Sequence, residues 1–358
     1  MKISIIHHKG PLPCGIKGDK MKVLLGMSGG LDSTYAAIRL REMGYEVVGA
    51  VLKMHEYTEC DSARAAAEAV GIPIQEIDCT REFKECVIDD FAKMYLSGKT
   101  PNPCVVCNST VKMKMLYECA QRQGIEKIAT GHYARVEKTD DGYAIAMAKD
   151  ERKDQSYMLW RVEQQVLSSL LLPLADLEKE QVRQSAREIS LDAANREESQ
   201  EICFIPDNDY PSYIERNYAS TPEGNFVLSD GTVVGKHKGI LHYTVGQRRG
   251  LGVAAGERMF ITKIDAQKNE ITLAKKGEGG CDEFEIGNLF FSGMKKTSDA
   301  RLRLKVKTRY ASPRIDAEVT IEGETAHVRF LDGKRLVTPG QSAVFYDGDV
   351  VAFGGFIN

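Results

Sequence analysis

From Lys22 to Gly44 the chain passes from a short buried-strand pattern, Val23-Leu24-Leu25, through Gly26-Met27-Ser28-Gly29-Gly30-Leu31-Asp32-Ser33 into a helical pattern closed by a glycine. A strand, a glycine turn and a helix start in that order commit the chain to a parallel sheet layered by helices. The glycines let the main chain close around an anion with no Cβ in the way. The helix start adds N–H groups and partial positive charge. A Walker loop would carry Gly-Lys-Ser/Thr, but this loop has no lysine and sets Asp32 at the helix start instead. A carboxylate beside an anion site suits a Mg2+-bridged pyrophosphate leaving group.

The alternation continues. Glu46–Met54 reads as a second strand, Asp61–Val70 as an alanine-rich helix closed by Gly71, and Ile74–Ile77 as a third strand. Glu82–Leu96 and Val111–Gln123 read as helices, and Lys127–Thr130 as a further strand. This spacing predicts an α/β, doubly wound parallel-sheet domain. The pattern changes after the helical stretch Lys179–Ser190. From Asn225 onward short strands are punctuated by Asp-Gly, Gly-Gly and Asn-Glu turns. They are Asn225–Val234, Met259–Asp265, Glu270–Ala274, Arg301–Tyr310, Asp316–Ile321, His327–Phe330 and Ser342–Asp347. That half is all β, expected as two small barrel-like domains. At 358 residues the chain exceeds one ordinary core. We expect a leader over 1–20 ahead of a start at Met21, a catalytic domain over 21–208, a central β domain over 209–280 and a C-terminal β-barrel over 281–358.

No apolar run approaches the roughly 18 residues of a membrane helix, and Met1–Lys20 lacks the long apolar stretch of a signal peptide. Nine cysteines, an odd number without an export signal, point to thiol chemistry in the cytoplasm rather than a disulfide framework. In Thr100-Pro-Asn-Pro-Cys-Val-Val-Cys-Asn108 the prolines predict a rigid loop presenting Cys104 and Cys107 ahead of the Val111 helix. In Glu198-Ser-Gln-Glu-Ile-Cys-Phe-Ile205, Cys203 ends the α/β half. A C-x-x-C pair by itself fits a redox couple or half a metal site, and a lone Cys203 fits a small core hydrophobe.

The loop Gly26–Ser33 resembles that of the ATP pyrophosphatase (PP-loop) superfamily, whose members transfer AMP to an oxygen and let a nucleophile displace it. Further segments follow in order: Pro101-Asn-Pro-x-x-x-Cys-Asn108, Ala129-Thr-Gly-His-Tyr133, Lys153-Asp-Gln-Ser-Tyr157 and Ile202-Cys-Phe204. The β half adds Lys236-His-Lys-Gly-Ile240 and Tyr243-Thr-Val-Gly-Gln-Arg-Arg-Gly-Leu-Gly252. Together they resemble the bacterial tRNA-specific 2-thiouridylase family, from Lys22 to the region of Ile357.

That resemblance implies a mechanism. ATP with Mg2+, held by Gly26, Met27, Ser28, Gly29, Gly30, Leu31, Asp32, Ser33, Leu52 and Gly131, adenylates O2 of the wobble uridine of a tRNA. Cys203 matches the persulfide carrier. Cys107 matches the nucleophile that assists sulfur release and pairs with Cys203 as a disulfide. A persulfide donor, a cysteine desulfurase or a relay protein, is the implied partner. Asn102, Pro103 and Cys104 match contacts to the target base, and Lys153, Asp154, Gln155, Arg309 and Tyr310 match contacts to the tRNA. His132, beside Gly131, reads equally as a core histidine. The chemistry is consistent: adenylation makes uracil O2 a leaving group, a soft sulfur nucleophile replaces it, and the base leaves its stack to be reached.

The family's common P-N-P-D-x-x-C-N element has Cys104 here in place of the aspartate. Two readings stay open. Either Cys107 and Cys203 carry persulfide chemistry unaided, or Cys104, Cys107 and Cys203 together hold an iron–sulfur cluster with one open iron. Zinc fits less well, because a fourth ligand is not evident. Farther on, Arg301-Leu-Arg-Leu-Lys-Val-Lys-Thr-Arg-Tyr310 alternates strictly, which puts five basic residues on one strand face with a tyrosine at its end. Such a face suits a phosphate backbone and a stacked base.

Overall fold

The computed structural model describes residues 20–188, 202–253, 258–275 and 277–358. The expected leader, apart from Lys20, lies outside them. Strands β1 (Lys22–Gly26) and β2 (Glu46–Lys53) pair in parallel from Lys22↔Glu46 to Gly26↔Ala50. β3 (Ile74–Asp78) adds outside β2, and β4 (Lys127–Ala129) lies on the other side of β1. The chain then leaves this sheet for a hairpin, β5 (Arg135–Thr139) and β6 (Gly142–Ala146), and returns as β7 (Leu170–Leu171) beside β4. The order β3-β2-β1-β4-β7 is parallel throughout and changes direction between β1 and β4. In an open parallel sheet that switch point opens a crevice at the carboxyl ends of the strands.

Both faces of the sheet are covered, so its strands read as continuous apolar runs. Val23, Leu24 and Leu25 are all fully buried. Val23, Leu25 and Val47 pack with Ala36, Ala37 and Leu40 of the helix Leu31–Glu42. Leu24, Ala50 and Leu52 pack on the other face with Phe83, Val105, Met113 and Leu116. The doubly wound expectation therefore holds.

Two helical expectations change. Glu82–Leu96 extends back to Thr80 and contains a π turn, Lys84–Ile88, between α-helical segments. More consequentially, Cys104 and Cys107 sit on a helix, Pro103–Cys107, rather than on a loop. A π turn over Asn108–Lys112 continues it into the α-helix Met113–Arg122. Pro103 occupies the first turn, where the missing N–H would have no partner anyway, and the Asn102 side chain accepts the Val105 N–H at 3.3 Å as the cap.

The β half forms two sheets. β8 (Gly224–Val227), β9 (Val233–His237), β10 (Met259–Asp265) and β11 (Glu270–Lys275) pair in the order β10-β11-β8-β9. The last sheet comprises β12 (Glu283–Phe291), β13 (Asp299–Lys307), β14 (Ile315–Glu322), β15 (Thr325–Phe330), β16 (Ser342–Asp347) and β17 (Val350–Ile357). The order β12-β15-β14-β13-β16-β17 closes through a β12–β17 pairing into a barrel. The hairpin β5–β6, which lies inside the catalytic segment by sequence, joins this barrel sheet through Val350↔Ala146. A helix, Tyr210–Asn217, begins just past the expected boundary at 208.

Candidate active site

The carboxyl ends of β1, β2 and β4 carry the residues that matter. After β1 the loop folds on itself: the Ser28 N–H donates to Ser33 Oγ at 3.2 Å, and Ser33 Oγ donates to the Gly30 carbonyl at 3.1 Å. Gly30 precedes the helix and its N–H donates to Ser28 Oγ at 3.4 Å, while the helix start beyond it is the kind of site that suits an anion. After β4, Gly131 presses on the same helix start. A Cβ there would lie 2.8 Å from the Asp32 carbonyl carbon and the Ser33 nitrogen, so only glycine lets the two segments meet. Leu52, near the end of β2, is buried. The ten residues expected around ATP thus come from three neighbouring strand ends.

Asp32 has a partner that sequence reasoning missed. Lys179 Nζ lies 2.7 Å from both of its carboxylate oxygens, and the lysine side chain is only 7% exposed. The Tyr133 hydroxyl donates to the same carboxylate at 3.0 Å, and Lys179 Nζ stands 5.6 Å from the Tyr133 ring centre. A cation absent from the loop is therefore delivered from the helix Lys179–Glu188, 147 residues downstream. The only sequence signal was a lysine opening an otherwise amphipathic helix.

Tyr133 also joins the loop to the segment Lys153–Gln155. Its N–H donates to Gln155 Oε1 at 2.9 Å, and its carbonyl accepts the Gln155 N–H at 2.7 Å. Asp154 points inward instead. It is 2% exposed and accepts from the Ala148 N–H, the Ser156 N–H and Ser156 Oγ. Its carboxylate is committed to holding this turn, which leaves Lys153 and Gln155 as the segment's more accessible groups.

The cysteine helix lies across the crevice. Cys107 is buried with its sulfur 3.7 Å from Met54 Sδ, just past β2, while Cys104 and Cys203 are accessible. Burial pushes the Cys107 thiol up to about 12, and the crowding of protein around the Cys203 sulfur pushes it up to about 11. Burial raises Cys104 as well. The Lys112 ammonium opposes the rise at all three thiols. In a π turn residues five apart stack, so Asn108–Lys112 brings Lys112 round towards the Cys107 face. His132 Nδ1 lies 2.8 Å from Thr130 Oγ1. Burial and Lys112 lower its pKa to about 3, so the ring is neutral across physiological pH.

Among the described residues no three His, Cys, Asp or Glu side chains converge as a metal-binding group. Cys104, Cys107 and Cys203 do lie near enough for their charges to interact, with Cys107 turned inward onto Met54 and Cys104 and Cys203 accessible. All three are free thiols, so the expected Cys107–Cys203 disulfide is not formed in this state.

The C-terminal barrel completes the site. Gln341 Nε2 donates to the Thr100 and Pro101 carbonyls at 3.1 and 3.0 Å, and the Thr100 N–H donates to the Pro339 carbonyl at 2.9 Å. The Tyr157 hydroxyl donates to the Ser342 carbonyl at 2.9 Å, and Trp160 Nε1 donates to Ser342 Oγ at 3.1 Å. Asn102, buried at the base of the cysteine helix, is thus fixed from two domains. The basic face of β13 is less free than its alternation suggested. Arg301 pairs with Glu318 at 2.6 Å and Lys305 with Asp316 at 3.2 Å. Arg301 and Arg329 hold the Glu318 carboxyl down at about 2. Arg309 turns inward, donating to the Val245 carbonyl at 2.9 Å and to Thr338 Oγ1 at 3.0 Å, while Tyr310 stays exposed.

An anion loop at the switch point of a parallel sheet, a carboxylate beside it and thiols across the crevice define a nucleotide-dependent enzyme with appended β domains. Residues 21–207 match the family described as tRNA methyl transferase HUP domain, 212–275 its PRC-barrel domain, and 281–357 the aminomethyltransferase beta-barrel domain. The tRNA-specific 2-thiouridylase MnmA of Clostridium acetobutylicum is 41% identical over 353 residues, covering 94% of this chain and 99% of its own. That of Acetivibrio thermocellus is 41% identical over 357 residues with the same coverage. One of Clostridium botulinum is 39% identical over 348 residues, covering 94% and 98%. The chain belongs to the tRNA-specific 2-thiouridylase family. Among solved structures, NMN synthetase from Francisella tularensis overlaps 51% of this chain and 67% of its own at 18% identity and a TM-score of 0.34.

Proposed function

We propose that this protein replaces O2 of the wobble uridine of tRNA by sulfur, in the cytoplasm, consuming ATP and a persulfide delivered by a cysteine desulfurase or relay protein. Membership of the 2-thiouridylase family makes it an ATP-using sulfurtransferase of tRNA. The observation that best supports the reading is the shared crevice: the loop of β1, Gly131 after β4 and the Met54–Cys107 contact after β2 lie on one edge of one sheet.

The loop N–H groups of Gly26–Ser33 hold the phosphates of ATP, and uracil O2 attacks the α-phosphorus as pyrophosphate leaves. Asp32 offers the carboxylate oxygen that would hold a Mg2+ ion if Lys179 yielded part of its grip, and such an ion would supply charge to offset the leaving pyrophosphate. The terminal sulfur of a Cys203 persulfide then attacks C2, the C2–O2 bond breaks, and AMP leaves carrying O2 and the bonding electron pair. Cys107 attacks the Cys203 sulfur, freeing 2-thiouridine and leaving a Cys107–Cys203 disulfide that an external dithiol reduces. The Cys203 thiol, held at about 11, stays protonated at neutral pH, whereas a persulfide is more acidic, so loading itself creates the first nucleophile. For the second step Cys107 gives up its proton to solvent as it attacks, and the Lys112 ammonium favours its thiolate. Asn102, Pro103 and Cys104 line the approach of the flipped base.

The test combines nucleoside mass spectrometry of tRNA with AMP and pyrophosphate stoichiometry, using purified protein, tRNA, ATP and a persulfide donor. The expected result is one 2-thiouridine at the wobble position per AMP, lost in Cys107→Ser and Cys203→Ser. Thiolation at another uridine would overturn the wobble assignment. Full activity of Cys203→Ser would overturn the persulfide route.

A further inference from the structure

The run that ends β13 carries five basic side chains, and four of them have partners away from the crevice. Arg301 and Arg303 meet Glu318 at 2.6 and 4.0 Å, Lys305 meets Asp316, and Arg309 is spent on Val245 and Thr338. Lys307 goes elsewhere. Half-buried at the strand end, its Nζ lies 5.5 Å from the Tyr310 ring centre and 5.9 Å from that of Tyr157, and the two rings stand 6.3 Å apart. The buried turn around Asp154 supplies the attracting charge on the catalytic-domain side. One ring of this trio is fixed: Tyr157 is fully buried and tied by its hydroxyl to Ser342. The other, Tyr310, is 37% exposed.

We propose that Lys307 is a positioning residue that pins the Tyr310 ring to Tyr157, so that the exposed side of Tyr310 serves as a stacking surface for an unpaired tRNA base next to the target uridine. A cation shared between two aromatic faces restrains a ring that would otherwise swing with its turn. The place suits the task, since the Asn102 side chain lies within hydrogen-bonding reach of the Tyr157 hydroxyl and Asn102 is one of the residues proposed to line the approach of the base. When the target base leaves its stack, its neighbour loses a partner, and an aromatic ring replaces that partner whatever the base is. Asp154 then acts on RNA through Lys307 rather than by touching it. The inference rests on the tRNA reading above.

The experiment titrates full-length protein into an anticodon stem–loop carrying 2-aminopurine at each loop position in turn. Wild type quenches the probe at a position flanking the target uridine. Tyr310→Ala abolishes that quench and binds about tenfold more weakly, with a thermal melt to show that the protein stays folded. Tyr310→Phe retains it. Lys307→Met loses most of the quench although the ring is still present, and Lys307→Arg restores it because a guanidinium also stacks on aromatic faces. Binding by wild type without quenching at any position overturns the inference and leaves the tRNA reading intact. An unchanged quench in a folded Lys307→Met protein overturns it too. Absence of any binding overturns the tRNA reading and the inference together.

Discussion

Among the described residues Lys179 and Asp32 form an ion pair, and their environments are unequal: the lysine side chain is 7% exposed, the carboxylate 34%. The two side chains are unequally buried, so substitutions of them differ in kind. Asp32→Asn leaves a buried ammonium beside a neutral amide. It should lower stability by about 2 kcal/mol, below the full cost of a broken buried pair because the carboxylate is part-exposed. Lys179→Met fills the same volume with apolar atoms and leaves Asp32 near water, so its melting temperature should stay close to wild type. Both should slow tRNA-dependent pyrophosphate release by about 100-fold or more, because charge stabilisation at a leaving group is a large catalytic term. Calorimetry beside a pyrophosphate assay separates the two effects. Wild-type pyrophosphate release by Lys179→Met would remove this lysine from the reaction.

At the scale of elements, the segment Asn102–Lys112 combines an asparagine cap, a proline-led turn and a π turn, and each sets a different group. Cys104 stands in the first helical turn, where the helix dipole favours negative charge by about 0.3–1 kcal/mol. Cys104→Asp should therefore fold at least as stably as wild type. Its thiolation should persist, since Cys107 and Cys203, to which the proposed sulfur chemistry is assigned, remain. Thiolation assays and thermal melts check this, and loss of activity with an intact melt would place Cys104 in the chemistry. The same segment shows why sequence is legible in some places and opaque in others. Val23–Leu25 with Gly26–Ser33 could be read directly because strand, turn and helix start are local patterns. The cysteine helix was read as a loop because proline breaks helix interiors but is welcome at the first position, and only the Asn102 cap tells the two apart. Lys179 was invisible because its partner lies 147 residues away. The charge on β13 was overestimated because Glu318 and Asp316, which neutralise it, come from the neighbouring strand.

Across the whole molecule, the barrel is a structural part of the catalytic crevice rather than a passenger. The hairpin β5–β6 joins its sheet, and the loop before Pro103 hangs from Gln341 and Pro339. Gly340 is the tightest point of that junction. It has φ +92°, and a Cβ there would lie 2.7 Å from Met94 Cε, 2.9 Å from the Thr100 carbonyl oxygen and 3.1 Å from Lys99 Cβ. Met94 can bend away, but the Thr100 carbonyl is main chain and already accepts from Gln341. Gly340→Ala must therefore shift the Thr100–Asn102 strap, and with it the cap that starts the cysteine helix, besides straining a left-handed residue by about 1 kcal/mol. The proposed ATP site lies on the other side of the crevice, where Gly131 and the loop after β1 meet. The expected result is an ATP dissociation constant within about twofold of wild type and thiolation reduced by about tenfold or more, since small misplacements of reacting groups are costly. Equilibrium ATP binding and single-turnover thiolation read the two separately. Equal loss of both would mean that the barrel supports the domain generally, whereas full thiolation would mean that the strap does not position the cysteines at all.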